Sequence, residues 1–183
     1  GQRLGMGPKA FVQFNGISLL ERAHAKIEAA GIEYIVSVLP KGLSSPLGPS
    51  IENPDPKSGP LESAQLGLSL LPTPIDTLLL FPVDHVKVSS ALIESLLNGI
   101  QRAPEGCSRI LPTYQGRDGH PIVLLEPGIQ GLASPARNTH TLRDALEATG
   151  SALRIPAFSP EIFFNLNTPA DWEDLHGQTP KPR

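Results

Sequence analysis

The chain has 183 residues, a length that favours one domain, and its 15 basic against 18 acidic side chains give a formal charge of −3, which offers no surface for a nucleic-acid backbone. A single cysteine, Cys107, excludes an intrachain disulfide and any cysteine-rich metal site. No apolar run approaches the ~20 residues of a membrane span, and no signal peptide is visible, so the expectation is a cytoplasmic protein without a membrane partner.

The chain opens Gly1-Gln2-Arg3-Leu4-Gly5-Met6-Gly7-Pro8-Lys9. Glycines let backbone N–H groups converge on an anion, and Arg3 and Lys9 add positive charge, so the stretch suits a phosphate cradle or, more plainly, a flexible tail. Such loops leave the end of a buried strand, and no strand precedes Gly1 in the sequence. Phe11 to Phe14 reads as extended, with a tight turn at Asn15-Gly16. A helix is expected from Ser18 to Ala30, its apolar stripe at Leu20, Ala23, Ile27 and Ala30, and Gly31 ends it. His24, beside that stripe, reads as a surface or boundary residue. Ile32 to Leu39 is a β-branched strand.

Residues 40–60 form a long loop carrying Asn53, Asp55 and Lys57, and a loop of ~20 residues inside a compact domain is usually functional or mobile. Gly59-Pro60-Leu61-Glu62-Ser63 starts a helix reaching Leu71, whose free N–H groups could bind an anion or a base edge or could simply be capped. Leu78 to Pro82 is a short continuous apolar run, the pattern of a strand buried on both faces of an α/β sheet. It ends on Asp84. In open α/β sheets ligands bind beyond the carboxyl ends of the strands, so Asp84 stands where a metal or substrate would be handled, or else caps a loop.

A helix opening at Ser89-Ser90 follows, with Leu92, Ile93, Leu96, Leu97 and Ile100 on one face. Arg109 to Pro112 and Ile122 to Leu125 read as strands, joined by a Gly-x-x-Gly-His loop that presents His120 beside a pocket or holds it structurally. Thr141 to Thr149 is helical, and Ile162 to Phe164 is expected to be a last strand. It leads into Asn165-Leu166-Asn167-Thr168-Pro169, where Thr168 caps a helix docked by Trp172 and Leu175. One domain over 1–177 is expected, with 178–183 a disordered tail. Alternating strands and helices give a three-layer α/β/α sandwich on a mostly parallel, Rossmann-like sheet.

Taken in order, these segments resemble the MobA-like nucleotidyltransferases, a family that includes enzymes attaching GMP or CMP to molybdopterin and is related to the cytidylyltransferase of isoprenoid synthesis. The motifs are Gly1-x-Arg3-Leu4-Gly5 with Pro8-Lys9, Gly59-Pro60-Leu61-x-Ser63, Pro82-Val83-Asp84-His85, Gly119-His120-Pro121 and Asn165-Leu166-Asn167-Thr168-Pro169. The resemblance implies the fold of the nucleotide-diphospho-sugar transferases, with the first strand missing from this sequence. It also implies transfer of a nucleoside monophosphate from GTP or CTP to a phosphorylated small-molecule acceptor, releasing pyrophosphate.

In that reading Asp84 holds Mg²⁺, which Asn167 helps to coordinate. Arg3 and Lys9 offset triphosphate charge, with the backbone of Gly1 and Gly5 assisting. Asn53, Asp55, Gly59 and Ser63 are candidates for base or ribose contacts, and His120 for the acceptor side. The chain would act as a monomer or homodimer. The alternative is a catalytically impaired nucleotide-binding or regulatory module of the same fold.

Overall fold

The computed structural model describes residues 7–55, 57–135 and 139–177, so Gly1, Arg3, Gly5 and the 178–183 tail lie outside the described residues. The first element is a 3₁₀ turn, Lys9–Phe11, then a short antiparallel hairpin of β1 (Gln13–Phe14) and β2 (Ile17–Ser18). Its turn places Asn15 and Gly16 at φ of 53° and 76°, the left-handed pair that a two-residue hairpin needs. Ser18 closes the hairpin and caps α1 (Leu19–Ala29) through a reciprocal bond with Glu21, one residue inside the expected helix at each end.

Beyond α1 the chain forms β3 (Ser37–Pro40), β4 (Ser50–Asn53), α2 (Gly59–Ser69) and β5 (Thr77–Leu80). Then come α3 (Ser90–Asn98), β6 (Cys107–Tyr114), β7 (Arg117–Asp118), β8 (Ile122–Leu125) and α4 (Glu126–Ala133). The last elements are α5 (Leu142–Glu147), β9 (Ser151–Pro156), a 3₁₀ turn over Pro160–Phe163, and α6 (Pro169–Gly177).

Strand β8 pairs antiparallel with β5 on one side and β6 on the other, and β9 pairs parallel with β6. β5, β6 and β9 therefore run in one direction, with β8 reversed between them. β7 is a two-residue return on the far half of β6. β5, β6 and β9 keep the expected common direction; the reversed β8 follows because only a short hairpin, β7 and its turns, separates it from β6. Strands β3 and β4 make a separate parallel pair.

Side-chain alternation sets the layers. Leu79, Ile110, Val123 and Ile155 face α1 and α3, while Leu78, Leu80, Ile122 and Leu124 face α2, α4 and α5. Ile110, Val123, Leu124, Leu96 and Leu132 are fully buried between them. The result is helix, sheet, helix. A smaller cluster of Val12, Leu19 and Leu166, with Val83, Phe164, Trp172 and Leu175, packs the two ends of the chain over the carboxyl end of β5.

Three expectations are corrected. Ile162 to Phe164 is no strand: Ser159 caps a 3₁₀ turn with Pro160 at its start, and Ile162 alone is buried. Ile32 to Val36 is not laddered; the strand begins at Ser37, where β4 supplies a partner. His24 is buried, with its Nε2 3.0 Å from the Ser37 hydroxyl, so it fastens α1 to β3 instead of facing solvent. Helix α4 and strand β9 had no counterpart in the sequence reading, and β4 lies inside the expected 40–60 loop, where β3 gives it a partner.

Candidate functional site

Asp84 leaves β5 in a turn fixed by the His85 N–H donating to the Pro82 carbonyl at 3.1 Å. Its own carbonyl accepts the Leu166 N–H at 3.0 Å, which ties the carboxyl-terminal segment to the end of the strand. Leu166 is fully buried in the core, and in an extended chain its two neighbours share the opposite side. Asn165 and Asn167 are thereby aimed back at Asp84. With its amide nitrogen turned to the carboxylate, Asn165 donates to Oδ2 at 2.7 Å and to Oδ1 at 3.1 Å. Asp171 anchors the same segment from α6, accepting the N–H groups of Asn167 at 2.9 Å and Thr168 at 2.7 Å. The Asn167 N–H leads the bonds that hold the Asp171 carboxyl below its ordinary value.

Lys9 enters from the opposite end of the sequence. Its ammonium donates to Asp84 Oδ2 at 2.8 Å and to Asn167 Oδ1 at 2.6 Å, with Lys9 and Asp84 side chains 16% and 19% exposed. The turn that carries it is held by Ala10, buried against Leu20 and Leu39. Two oxygen donors thus converge on one cation. Both are hard ligands of the kind that suit a small divalent ion completed by phosphate oxygens and water. Among the described residues no group of three or more His, Cys, Asp or Glu side chains could hold a metal, and the oxygens that meet Lys9 come from one carboxylate, Asp84, and one amide, Asn167.

The rings of His85 and His120 lie against each other at a 56° tilt, centroids 4.8 Å apart, and the Nδ1 of each is buried without a hydrogen-bond partner among the described residues. Burial first, then the His120 charge, pushes the His85 imidazole down to about 4 against the pull of Asp84. Burial lowers His120 as well.

The loop before α2 supplies the second half of the site. Asn53 is buried and donates from its amide to the hydroxyls of Ser58 and Ser63, each at 3.0 Å, while its oxygen accepts the Asp55 N–H at 2.9 Å. Asp55 in turn accepts the Lys57 N–H at 2.8 Å. Asn53 and Asp55 thus shape the loop. Gly59 adopts φ +84°, a conformation other side chains rarely enter, and so lets α2 start where it does. A cavity of about 1040 Å³ joins the two halves, with Ser63, Asp84, His85, His120 and Asn165 on its lining.

Of the residues singled out from sequence, Lys9, Asp84 and Asn167 are brought into direct contact, and His120 stands beside them. Ser63 lines the cavity, and Gly59 opens the helix that carries it. Asn165, His85 and Ser58 were missed as members. Asn165 had a usable signal, since two asparagines flanking one leucine alternate across an extended segment.

An α/β/α sandwich with a carboxylate, amides and an ammonium gathered at the carboxyl end of a sheet strand belongs to the nucleotide-handling α/β class. The family model for the MobA-like NTP transferase domain matches residues 1–153. The chain belongs to that family.

Individual proteins agree with that placement. A 2-C-methyl-D-erythritol 4-phosphate cytidylyltransferase of Deinococcus radiodurans is 48% identical over 48 residues, which is 26% of this chain and 20% of that protein. The aligned stretch is therefore a fifth of that relative's length. The structure of Rv0371c from Mycobacterium tuberculosis superposes with a TM-score of 0.76 at 14% identity, covering 97% of this chain and 93% of that one. The same mycobacterial protein has also been solved as a complex with manganese. Molybdopterin-guanine dinucleotide biosynthesis protein A from Archaeoglobus fulgidus superposes with a TM-score of 0.68 at 20% identity, over 95% of this chain and 91% of that one.

Proposed function

We propose that the protein transfers a nucleoside monophosphate from GTP or CTP to a phosphorylated small-molecule acceptor such as molybdopterin, with release of pyrophosphate. The observation that carries this reading is the convergence of Lys9, Asp84 and Asn167 from opposite ends of the chain onto one point. An oxygen of the acceptor phosphate attacks the α-phosphorus; the bond from that phosphorus to the β-phosphate oxygen breaks, and pyrophosphate leaves. Little covalent chemistry is asked of the protein, so positioning and charge neutralisation supply most of the rate.

In this reading Asp84 and Asn167 hold a divalent ion, Mg²⁺, which when bound neutralises charge on the phosphate oxygens. Lys9 exchanges its contact with Asp84 for the triphosphate and offsets its charge. Arg3, with the backbone of Gly1 and Gly5, completes the phosphate contacts. Ser63 and Gly59, on the loop that Asn53 and Asp55 shape, face the base or ribose, and His120 lies toward the acceptor.

The test is pyrophosphate release from each common NTP with Mg²⁺, in the presence of phosphorylated acceptors. Asp84→Asn keeps the shape and removes the charge, and release should fall by about a hundredfold or more. Chelation should stop release, and added Mg²⁺ should restore it. A chain that binds NTP but releases no pyrophosphate under any of these conditions would be a binding module, and the transfer proposal would fail.

A further inference from the structure

The Lys9 ammonium donates to Asp84 Oδ2 at 2.8 Å and to Asn167 Oδ1 at 2.6 Å, the same two oxygens that suit a divalent ion. A metal coordinated by that Oδ2 and an ammonium hydrogen-bonded to it would be close neighbours. Three positive charges would then face one carboxylate, and their mutual repulsion would outweigh what the carboxylate returns. The two cations therefore exclude each other.

The surroundings hold the ammonium where it is. Asn165 already donates to both oxygens of Asp84, at 2.7 Å to Oδ2 and 3.1 Å to Oδ1. The Asp171 carboxylate also feels the Lys9 charge, but its Oδ2 accepts the N–H groups of Asn167 and Thr168 and the Thr168 hydroxyl. The backbone that carries Lys9 is fixed on both sides. The Phe11 N–H donates to the Pro8 carbonyl at 3.0 Å, the Val12 N–H donates to the Lys9 carbonyl at 3.1 Å, and Ala10 between them is buried. The motion open to Lys9 is the swing of its four-carbon stem.

We propose that Lys9 competes with the divalent ion for these oxygens, which rests on the reading of Asp84 and Asn167 as that ion's ligands, and that the site therefore takes metal and triphosphate together and takes metal alone poorly. Without nucleotide, Lys9 keeps the shielded Asp84 carboxylate from standing as an unpaired charge. A metal ion arriving by itself would have to drive the ammonium out into water. With a triphosphate present, Lys9 swings onto phosphate oxygens and gives up Asp84 and Asn167 without losing an anionic partner. The coupling is reciprocal: whatever the triphosphate adds to metal affinity, the metal adds to triphosphate affinity.

The test uses Mn²⁺ alone, followed by its electron paramagnetic resonance signal, with no nucleotide or acceptor. Lys9→Met should bind Mn²⁺ about tenfold or more tightly than the unaltered chain, within the usual range of couplings between sites. Lys87→Met is the comparison. Lys87 sits 3.9 Å over the Phe164 ring and donates to Asp174, so its loss removes a cation from the neighbourhood without freeing the two oxygens. It should change Mn²⁺ affinity by less than about threefold, because the Coulomb effect weakens with distance. No gain in Lys9→Met overturns the proposal, and so does an equal gain in both variants, which a general field would explain. A second measurement needs no variant to fold. As Mg²⁺ alone is raised on the unaltered chain, the Lys9 ammonium nitrogen resonance should leave its carboxylate-bonded position with the midpoint of metal binding. Metal binding that leaves this resonance unmoved overturns the proposal as well. Pyrophosphate release enters neither measurement, so a chain that fails to transfer can still show the competition, and a chain that transfers can lack it.

Discussion

Asp84 is approached from two chain ends and accepts from both, from Lys9 on one side and from Asn165 on the other. Removing its charge leaves the Lys9 ammonium with Asn167 alone, so Asp84→Asn should lower catalysis far more than it lowers folding stability, read as kcat against the urea midpoint. Ser63→Ala should mainly weaken nucleotide binding, as a raised KM with kcat little changed, because it lies across the cavity from the reacting centre. The histidines govern the response to acid. His85 is held at about 4 by burial, against roughly 6.5 in the unfolded chain. Between those values the unfolded chain takes up a proton that the folded chain refuses. The stabilisation is complete above about pH 6.5 and is lost progressively as pH falls toward 4. His24 and His120, also lowered by burial, act in the same sense. Urea midpoints should therefore drop between pH 7 and pH 4.5, and His85→Asn should flatten part of that slope.

Among the elements, those whose ends are written locally were the easiest to find. Ser18 with Glu21, Ser89 with the Leu92 N–H, and Thr141 with the Asp144 N–H each cap a helix from within three residues. Ser18→Ala should cost about 1 kcal/mol, measured by chemical denaturation. Elements whose reason is remote were missed. β9 exists because β6 offers a parallel edge, and the Arg109 guanidinium bonds the carbonyls of Leu146 at 2.7 Å and Gly150 at 3.0 Å just before it. Helix α4 packs so closely on β6 that a Cβ at Gly128 would lie 2.2 Å from the Ser108 carbonyl oxygen. Gly128→Ala should force that helix outward at a cost of about 1–3 kcal/mol, again visible in the denaturation midpoint. Ile162 to Phe164 misled in the other direction: three apolar residues suggest a strand, but Ser159 caps the segment, Pro160 opens it, and it coils into a single turn.

At the scale of the whole molecule, one cavity is lined by β3, α2 and β5 and carries Asp84 and Ser63. A bound nucleotide at ~100 times its dissociation constant should stabilise the chain by about 2.7 kcal/mol, so a thermal-shift series over the common NTPs with a divalent ion will rank the nucleobases. Composition and periodicity were sufficient for the α/β class, for most strands and helices, and for Asp84 at the end of a sheet strand, because those properties depend on burial patterns a few residues long. Tertiary structure alone decided that Asn165 joins Asp84, that Asn53 and Asp55 hydrogen-bond within their loop, and that one cavity is lined by residues of both β3 and β5. The physical reason is range: a cap or an amphipathic stripe is fixed by neighbours in sequence, whereas a hydrogen bond between residues 158 positions apart, such as Lys9 to Asn167, exists only once the core has folded the chain upon itself.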